Sequence, residues 1–95
     1  MKRVKTKFTP EAAAVVRKLH PDTKAIIKLG ILEIQESPYL GHQLQAELYG
    51  FMSYKIKRYR IIYRFNENDQ TIEIYHVGHR KDVYEQFRRL LNQIT

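Results

Sequence analysis

Five basic side chains, Lys55, Lys57, Arg58, Arg60 and Arg64, fall within ten residues, and no acid interrupts them. Between them stand Ile56, Tyr59, Ile61, Ile62 and Tyr63. Such a run reads as two β-strands, Phe51–Lys57 and Arg60–Phe65, joined by a tight turn. Side chains alternate across a strand, so Tyr54 and Ile56 share one face and Lys55 and Lys57 the other. On the second strand Ile61, Tyr63 and Phe65 oppose Arg60, Ile62 and Arg64. Cations from both strands therefore collect on one side of a sheet. Like charges placed opposite one another destabilise a sheet, so an anionic ligand explains the cluster better than folding does. The alternative is a solvated sheet face or edge, where lysines block unwanted strand pairing.

A second group follows: His76-Val77-Gly78-His79-Arg80-Lys81-Asp82-Val83-Tyr84-Glu85. Gly78 is expected to let the chain turn from a strand into a helix over 80–93. On that helix Arg80, Tyr84 and Arg88 lie at i, i+4 and i+8, one stripe. A guanidinium can grip a phosphate bidentately while a neighbouring tyrosine stacks on a base. Tyr84 packing at the core edge beside Phe87 and Leu91, and Arg80 paired with Asp82 or Glu85, are the structural alternatives. His76 is in phase with Ile72 and Ile74 and reads as an inner-face histidine.

The elements that must position these groups are legible as local patterns. Residues 3–8 alternate, with Val4, Thr6 and Phe8 on one side of a half-buried strand. Thr9-Pro10-Glu11 opens a helix with Thr9 as N-cap, and Ala12, Val15, Val16 and Leu19 form its apolar stripe. His20-Pro21 stops it. Asp22 is expected to cap a second helix, with Ile27, Ile31 and Ile34 inward. Gly30 in its interior costs roughly 1 kcal/mol against alanine and implies a close packing contact. Leu40, Leu44 and Leu48 anchor a mixed segment. A third strand, Thr71–Val77, follows the loop Asn66-Glu67-Asn68-Asp69. Val83, Phe87, Leu90 and Ile94 line the last helix. The order β-α-α-β-β-β-α gives an α+β fold: an N-terminal helical hairpin and a C-terminal helix, with the helices covering one face of a mainly antiparallel four-stranded sheet.

The chain of 95 residues is short enough to be one domain over 1–95. Its 43% hydrophobic residues are too many for disorder. Seventeen Lys and Arg against ten Asp and Glu give a net charge of +7, which favours a polyanion or an acidic protein partner. There is no cysteine, hence no disulfide and no thiolate nucleophile. No apolar stretch follows Met1-Lys2-Arg3 as in a secretory leader, and no apolar run is long enough to span a membrane. A cytoplasmic protein is the expectation. His20, His42, His76 and His79 never take a zinc-binding spacing with acids, and no carboxylate set suggests a two-metal nuclease. No phosphate-cradling glycine loop is present, so no cofactor or metal is expected, and any chemistry must come from Lys, Arg, His and Tyr.

The set Leu48-Tyr49-Gly50, Tyr54-Lys55-Ile56-Lys57, Tyr59-Arg60-Ile61-Ile62-Tyr63 and Val77-Gly78-His79-Arg80-Lys81-Asp82-Val83-Tyr84 resembles the RelE/ParE toxin superfamily, and Glu36-Ser37-Pro38 fits it as well. The resemblance covers nearly the whole chain. It implies a RelE-type toxin of a type II toxin–antitoxin module, a metal-independent endoribonuclease that cleaves mRNA in the ribosomal A site. In such toxins the nucleotide's own 2′-hydroxyl attacks the phosphate, leaving a cyclic phosphate and a free 5′-hydroxyl. Carried over by motif, Lys55 and Lys57 assist loss of the 2′-hydroxyl proton, and Arg60 stabilises transition-state charge. Arg80 stabilises the phosphorane or serves the leaving oxygen, and Tyr84 stacks on a base. Arg58, His79 and Lys81 read as RNA contacts, and His79 is also a candidate acid or base. The hairpin between Lys57 and Tyr59 is shorter than in many RelE toxins and lacks their turn glycine, so Lys57 lies either in the turn or on the catalytic face. Implied partners are a cognate antitoxin, the ribosome and mRNA. The rival implied by the same superfamily is a ParE-type inhibitor of DNA gyrase, which binds without cutting; retention of Lys55, Arg60, Arg80 and Tyr84 favours RelE.

Overall fold

Local chemistry starts the chain as expected. In the computed structural model, which describes residues 3–94 without the side chain of Ile94, strand β1 (Lys5–Phe8) leads into helix α1 (Pro10–Arg17). The Thr9 side-chain oxygen accepts a hydrogen bond from the Ala12 backbone N–H at 3.1 Å, and Pro10 takes the first helical turn. Helix α2 (Pro21–Glu36) follows a three-residue link. Its N-cap is His20, not Asp22: the His20 ring accepts from the Asp22 backbone N–H at 3.1 Å. Proline at the first helical position fixes φ there and shifts the cap one residue upstream of it.

A two-residue strand β2 (His42–Gln43) and a short 3-10 turn (Ala46–Leu48) lead to β3 (Met52–Ile56), β4 (Tyr59–Asn66), β5 (Thr71–His79) and helix α3 (Val83–Ile94). The sheet runs β1-β5-β4-β3-β2. It has five strands where four were expected, because the segment after Pro38 adds β2 at the edge. β1 pairs with β5 in parallel, and the other pairings are antiparallel. Leu40 is 51% exposed and anchors nothing, whereas Leu48 is buried.

Helices cover both faces of this sheet, not one. On the first face α1 and α2 pack Ala12, Ile27 and Ile34 against Met52, Ile61, Tyr63, Ile72, Ile74 and Val77. Gly30 makes the α2 contact possible: a Cβ there would lie 2.8 Å from Ile61 Cδ1 and 3.1 Å from Ile56 Cγ2. On the second face α3 buries Val83 and Phe87 against Leu48, Phe51 and Ile62, with Tyr75, Tyr84 and Leu91 packed around them. Leu91 thus takes the place in that stripe where Leu90 was expected, and the side chain of Ile94 lies outside the described residues. The apolar row that draws α3 down is hidden in the sequence among the cations Lys55, Arg60 and Arg64.

A β-bulge decides which β5 side chains reach which face. The register passes from Ile62↔His76 to Tyr63↔Ile74, leaving Tyr75 extra. Beyond it the phase inverts. His76 therefore leaves the face of Ile72 and Ile74 and lies under α3, stacked on Phe87 with ring centroids 6.2 Å apart. Gly78 is also moved to that side. There a Cβ would meet Gln86 Oε1 at 3.0 Å and Val83 Cβ at 3.4 Å, so its bareness admits the first turn of α3. The chain does not break at Gly78, since β5 continues to His79.

Candidate RNA-binding site at the hairpin end of the sheet

The β3–β4 connection has two residues, Lys57 and Arg58, and Lys57 sits at φ 54°. Positive φ at the first central position suits the right-handed twist of the flanking strands. This tight turn fixes the register, so Lys55 and Arg60 become direct cross-strand partners. Both lie on the α3 face, in line with Gly78 on β5. Arg60 is half-buried, and its Nη1 donates to the Tyr59 carbonyl at 3.2 Å. Lys55 is exposed. Lys57 is an exposed residue of the turn and not of either strand.

The ladder continues past the last residue of β5. The Arg80 backbone N–H donates to the Arg58 carbonyl at 2.7 Å, which sets these two residues side by side. The end of the sheet thus gathers Lys55, Lys57, Arg58, Arg60, Arg80 and Lys81. Among the described residues ion pairs join Arg3 to Glu36, Arg88 to Glu47 and Arg89 to Glu85, and the His20 ring lies 3.7 Å from the Asp22 carboxylate. None of them neutralises a cation of this cluster, and Arg80 pairs with neither Asp82 nor Glu85.

Arg80 does not share a helical stripe with Tyr84 and Arg88. The helix begins only at Val83, after Asp82 has bonded back to the His79 carbonyl and accepted from the Gln86 N–H. Arg88 is drawn away to Glu47 at 2.7 Å. Tyr84 stands in the first turn of α3, half-exposed, with its ring against the second core cluster. Its hydroxyl lies 2.9 Å from Ser53 Oγ, two residues before Lys55 on the same strand face. Sequence patterns do not single out Ser53; its only signal is a small polar residue in phase with Lys55 on the same strand.

His79 pairs across the strands with Tyr59 and so faces the α1–α2 side, away from Lys55 and Arg60. Its ring meets Tyr59 edge-on at 5.9 Å, and its Nδ1 accepts from the Lys81 backbone N–H at 3.2 Å. Tyr59 in turn reaches Thr23 on α2 at 3.3 Å. The cluster therefore unites Lys55 with Arg60, Arg58 with Arg80, and Tyr84 with the strand that carries Lys55; it leaves His79 behind the sheet.

A cavity of about 630 Å³ lies elsewhere against α3, among Tyr49, Phe51, Arg64, Tyr75, Phe87 and Arg88. Arg64 is held there 4.0 Å above the Phe51 ring, and its Nε donates to the Gly50 carbonyl at 3.3 Å. It is thereby separated from the other cations of the run. Among the described residues no three His, Cys, Asp or Glu side chains converge as a metal site, and no helix is long and apolar enough to cross a membrane.

A five-stranded sheet with helices on both faces and an unneutralised cationic hairpin defines a class of small basic α+β proteins. Comparison with known proteins makes the class specific. Residues 6–84 match the family described as the ParE toxin of type II toxin–antitoxin system, parDE. Toxin RelG of Mycobacterium tuberculosis is 31% identical over 80 residues, covering 82% of this chain and 92% of that protein. The chain belongs to the RelE/ParE superfamily of type II toxin–antitoxin toxins. Among solved structures, the toxin–antitoxin complex RelBE2 of M. tuberculosis matches with a TM-score of 0.75 at 28% identity, over 83% of this chain and 100% of that one. The isolated RelE toxin of E. coli, at 19% identity, shares the fold with a TM-score of 0.71, over 97% of this chain and 99% of that one.

Proposed function

We propose that this toxin is a ribosome-dependent endoribonuclease that cuts mRNA in the A site without a metal. One observation carries the reading: Lys55 and Arg60 face each other on the sheet, beside Arg58 and Arg80, and among the described residues no carboxylate forms an ion pair with any of them. Such a cluster costs folding energy and is repaid by a polyanion. In the reaction the 2′-oxygen forms a bond to phosphorus and the 5′-oxygen leaves. Water takes the proton that leaves the 2′-hydroxyl and water returns one to the departing 5′-oxygen, so the products are a cyclic phosphate and a free 5′-hydroxyl. Lys55 offsets the negative charge that grows as the 2′-hydroxyl loses its proton. Arg60 binds the non-bridging oxygens as the phosphorane forms, and Arg80 serves the same charge or the leaving oxygen. Tyr84 offers its ring to a base, which supplies positioning. Lys57, Arg58 and Lys81 hold the backbone at the rim. His79, on the far face, enters as an outer contact rather than as the acid or base.

RelBE2 of M. tuberculosis, a structure to which this chain is similar, is a toxin–antitoxin complex, as is RelBE of E. coli, which shares the fold. We propose likewise that a cognate antitoxin, with an acidic or amphipathic segment, covers this chain's cationic end and that the pair resides in the cytoplasm.

The matched family model, which is that of the ParE toxin, favours a second reading in which the chain binds DNA gyrase and cuts nothing. Ribosomes programmed with a defined mRNA separate the two. Wild type is expected to cleave in the A site, and Arg80→Ala to cleave at least tenfold more slowly, an order-of-magnitude expectation for one lost charge-stabilising group. Intact mRNA together with inhibited gyrase would establish the ParE reading.

A further inference from the structure

We infer that Ser53 is the positioning residue for Tyr84: its buried hydroxyl sets the plane in which the tyrosine ring receives a base. The inference rests on the ribonuclease reading. Ser53 is 1% exposed on β3, so its Oγ is closed to solvent and to RNA. It lies 2.9 Å from the Tyr84 hydroxyl. Stacking needs a ring whose plane is fixed before the base arrives, and a half-exposed tyrosine on the first turn of a helix is otherwise held along one edge only. Packing against the Phe87 cluster supplies that edge, and the Ser53 hydrogen bond supplies the second constraint.

The strand adds a further link. Ser53 and Lys55 project from the same face of β3, one pleat apart, and Lys55 is locked opposite Arg60 by the two-residue turn. One rigid strand therefore fixes both the base platform and the first cation, so the stacked base and the scissile phosphate keep a constant separation. The tether also assigns the Tyr84 hydroxyl a task. Either hydroxyl can donate in this bond, and in both arrangements it anchors the Tyr84 ring to β3, so that Tyr84 contributes a fixed plane.

Single-turnover cleavage on programmed ribosomes tests this with Ser53→Ala, Tyr84→Phe, the double variant and Tyr84→Ala. Each of the first two is expected to slow cleavage roughly tenfold with an unchanged KM for the programmed ribosome, because the cations that dock the RNA are untouched. The double variant is expected to be no slower than either single one, since both remove the same bond. Tyr84→Ala, which removes the ring, is expected to lose more. Tyr84→Phe leaves Ser53 in place, so it decides the matter even if Ser53→Ala folds poorly. Equal rates for wild type and Tyr84→Phe overturn the inference, as do losses that add in the double variant, or a loss confined to KM. Intact mRNA with wild type overturns the ribonuclease reading itself, and the positioning role with it.

Discussion

Lys55 and Arg60 stand directly opposite each other on β3 and β4, two like charges at one pair of Cα partners, next to the turn. Opposed like charges cost a sheet about 0.2–1 kcal/mol. Removal of either should therefore leave the fold as stable as before or raise its melting temperature slightly. The same removal should reduce A-site cleavage on the order of 100-fold, since a preorganised cation acting on developing phosphorane charge is lost. Thermal melts and cleavage rates of Lys55→Ala and Arg60→Ala, measured together, check this. A variant that lost stability and activity in parallel would mean that the pair serves the fold.

Lys57 gives a contrasting case. It holds φ 54°, a left-handed conformation that costs an L-residue roughly 1–2 kcal/mol and that glycine adopts freely. Lys57→Gly is expected to raise stability by about 0.5–1 kcal/mol, part of the relieved strain being returned as extra freedom in the unfolded chain. Because Lys57 is an exposed residue of the turn, cleavage should change by no more than roughly threefold, the loss of one screened rim contact. Denaturant midpoints and single-turnover rates decide it. A 100-fold loss of rate would place Lys57 in the reaction.

These two lysines also mark how far sequence reading reaches. Local rules placed Lys55, because strand alternation and a short turn need only neighbouring residues. The same holds for the Thr9 cap and the Asn66 loop, where Asn66 Oδ1 accepts from the Asp69 backbone N–H at 3.1 Å. What failed was non-local. Nothing in Ile74-Tyr75-His76-Val77 announces that Tyr75 is extra, yet that one bulge moves His76 and Gly78 across the sheet. The start of α3 was misplaced because β5 continues to His79 and Arg80 bonds to Arg58, which leaves only a turn before Val83. Ser53 and Tyr84 are 31 residues apart, and only the docked helix brings them together.

Gly30 packs α2 against the sheet at a distance that only a bare Cα allows. Alanine would gain about 1 kcal/mol of helix propensity. Its Cβ would sit 2.8 Å from Ile61 Cδ1 and 3.3 Å from Ile56 Cβ, so the fully buried Ile61 side chain must shift to admit it. Overpacking of this kind costs roughly 1–3 kcal/mol. Gly30→Ala is therefore expected to destabilise by about 1 kcal/mol net, a fall in Tm of roughly 4–8 °C for a domain of this size. Calorimetry checks the sign: a rise in Tm would mean that α2 can shift outward at little cost.

His76 carries the pH dependence. It is 4% exposed between the sheet and α3, with Nε2 at 3.1 Å from Gln86 Oε1 and Nδ1 buried without a hydrogen-bond partner. Burial pushes its pKa below the ordinary 6.5, and the Gln86 hydrogen bond opposes this only in part. The folded state thus binds its proton more weakly than the unfolded chain does. Linkage then requires that the stability gained by keeping His76 neutral be fully present above pH 6.5 and be lost as pH falls below that value toward the depressed folded pKa. A hydrogen bond from its own backbone N–H and, after it, the Arg88 guanidinium hold the Glu47 carboxyl below its usual 4.5, so its share is lost only in a more acidic window. Between pH 7.5 and 5.5 the melting temperature should fall, and His76→Gln should flatten that slope. Because His76 stacks on Phe87 of α3, amide exchange in α3 should accelerate over the same interval before the β4–β5 ladder opens. An unchanged slope in His76→Gln would assign the acid sensitivity to other groups.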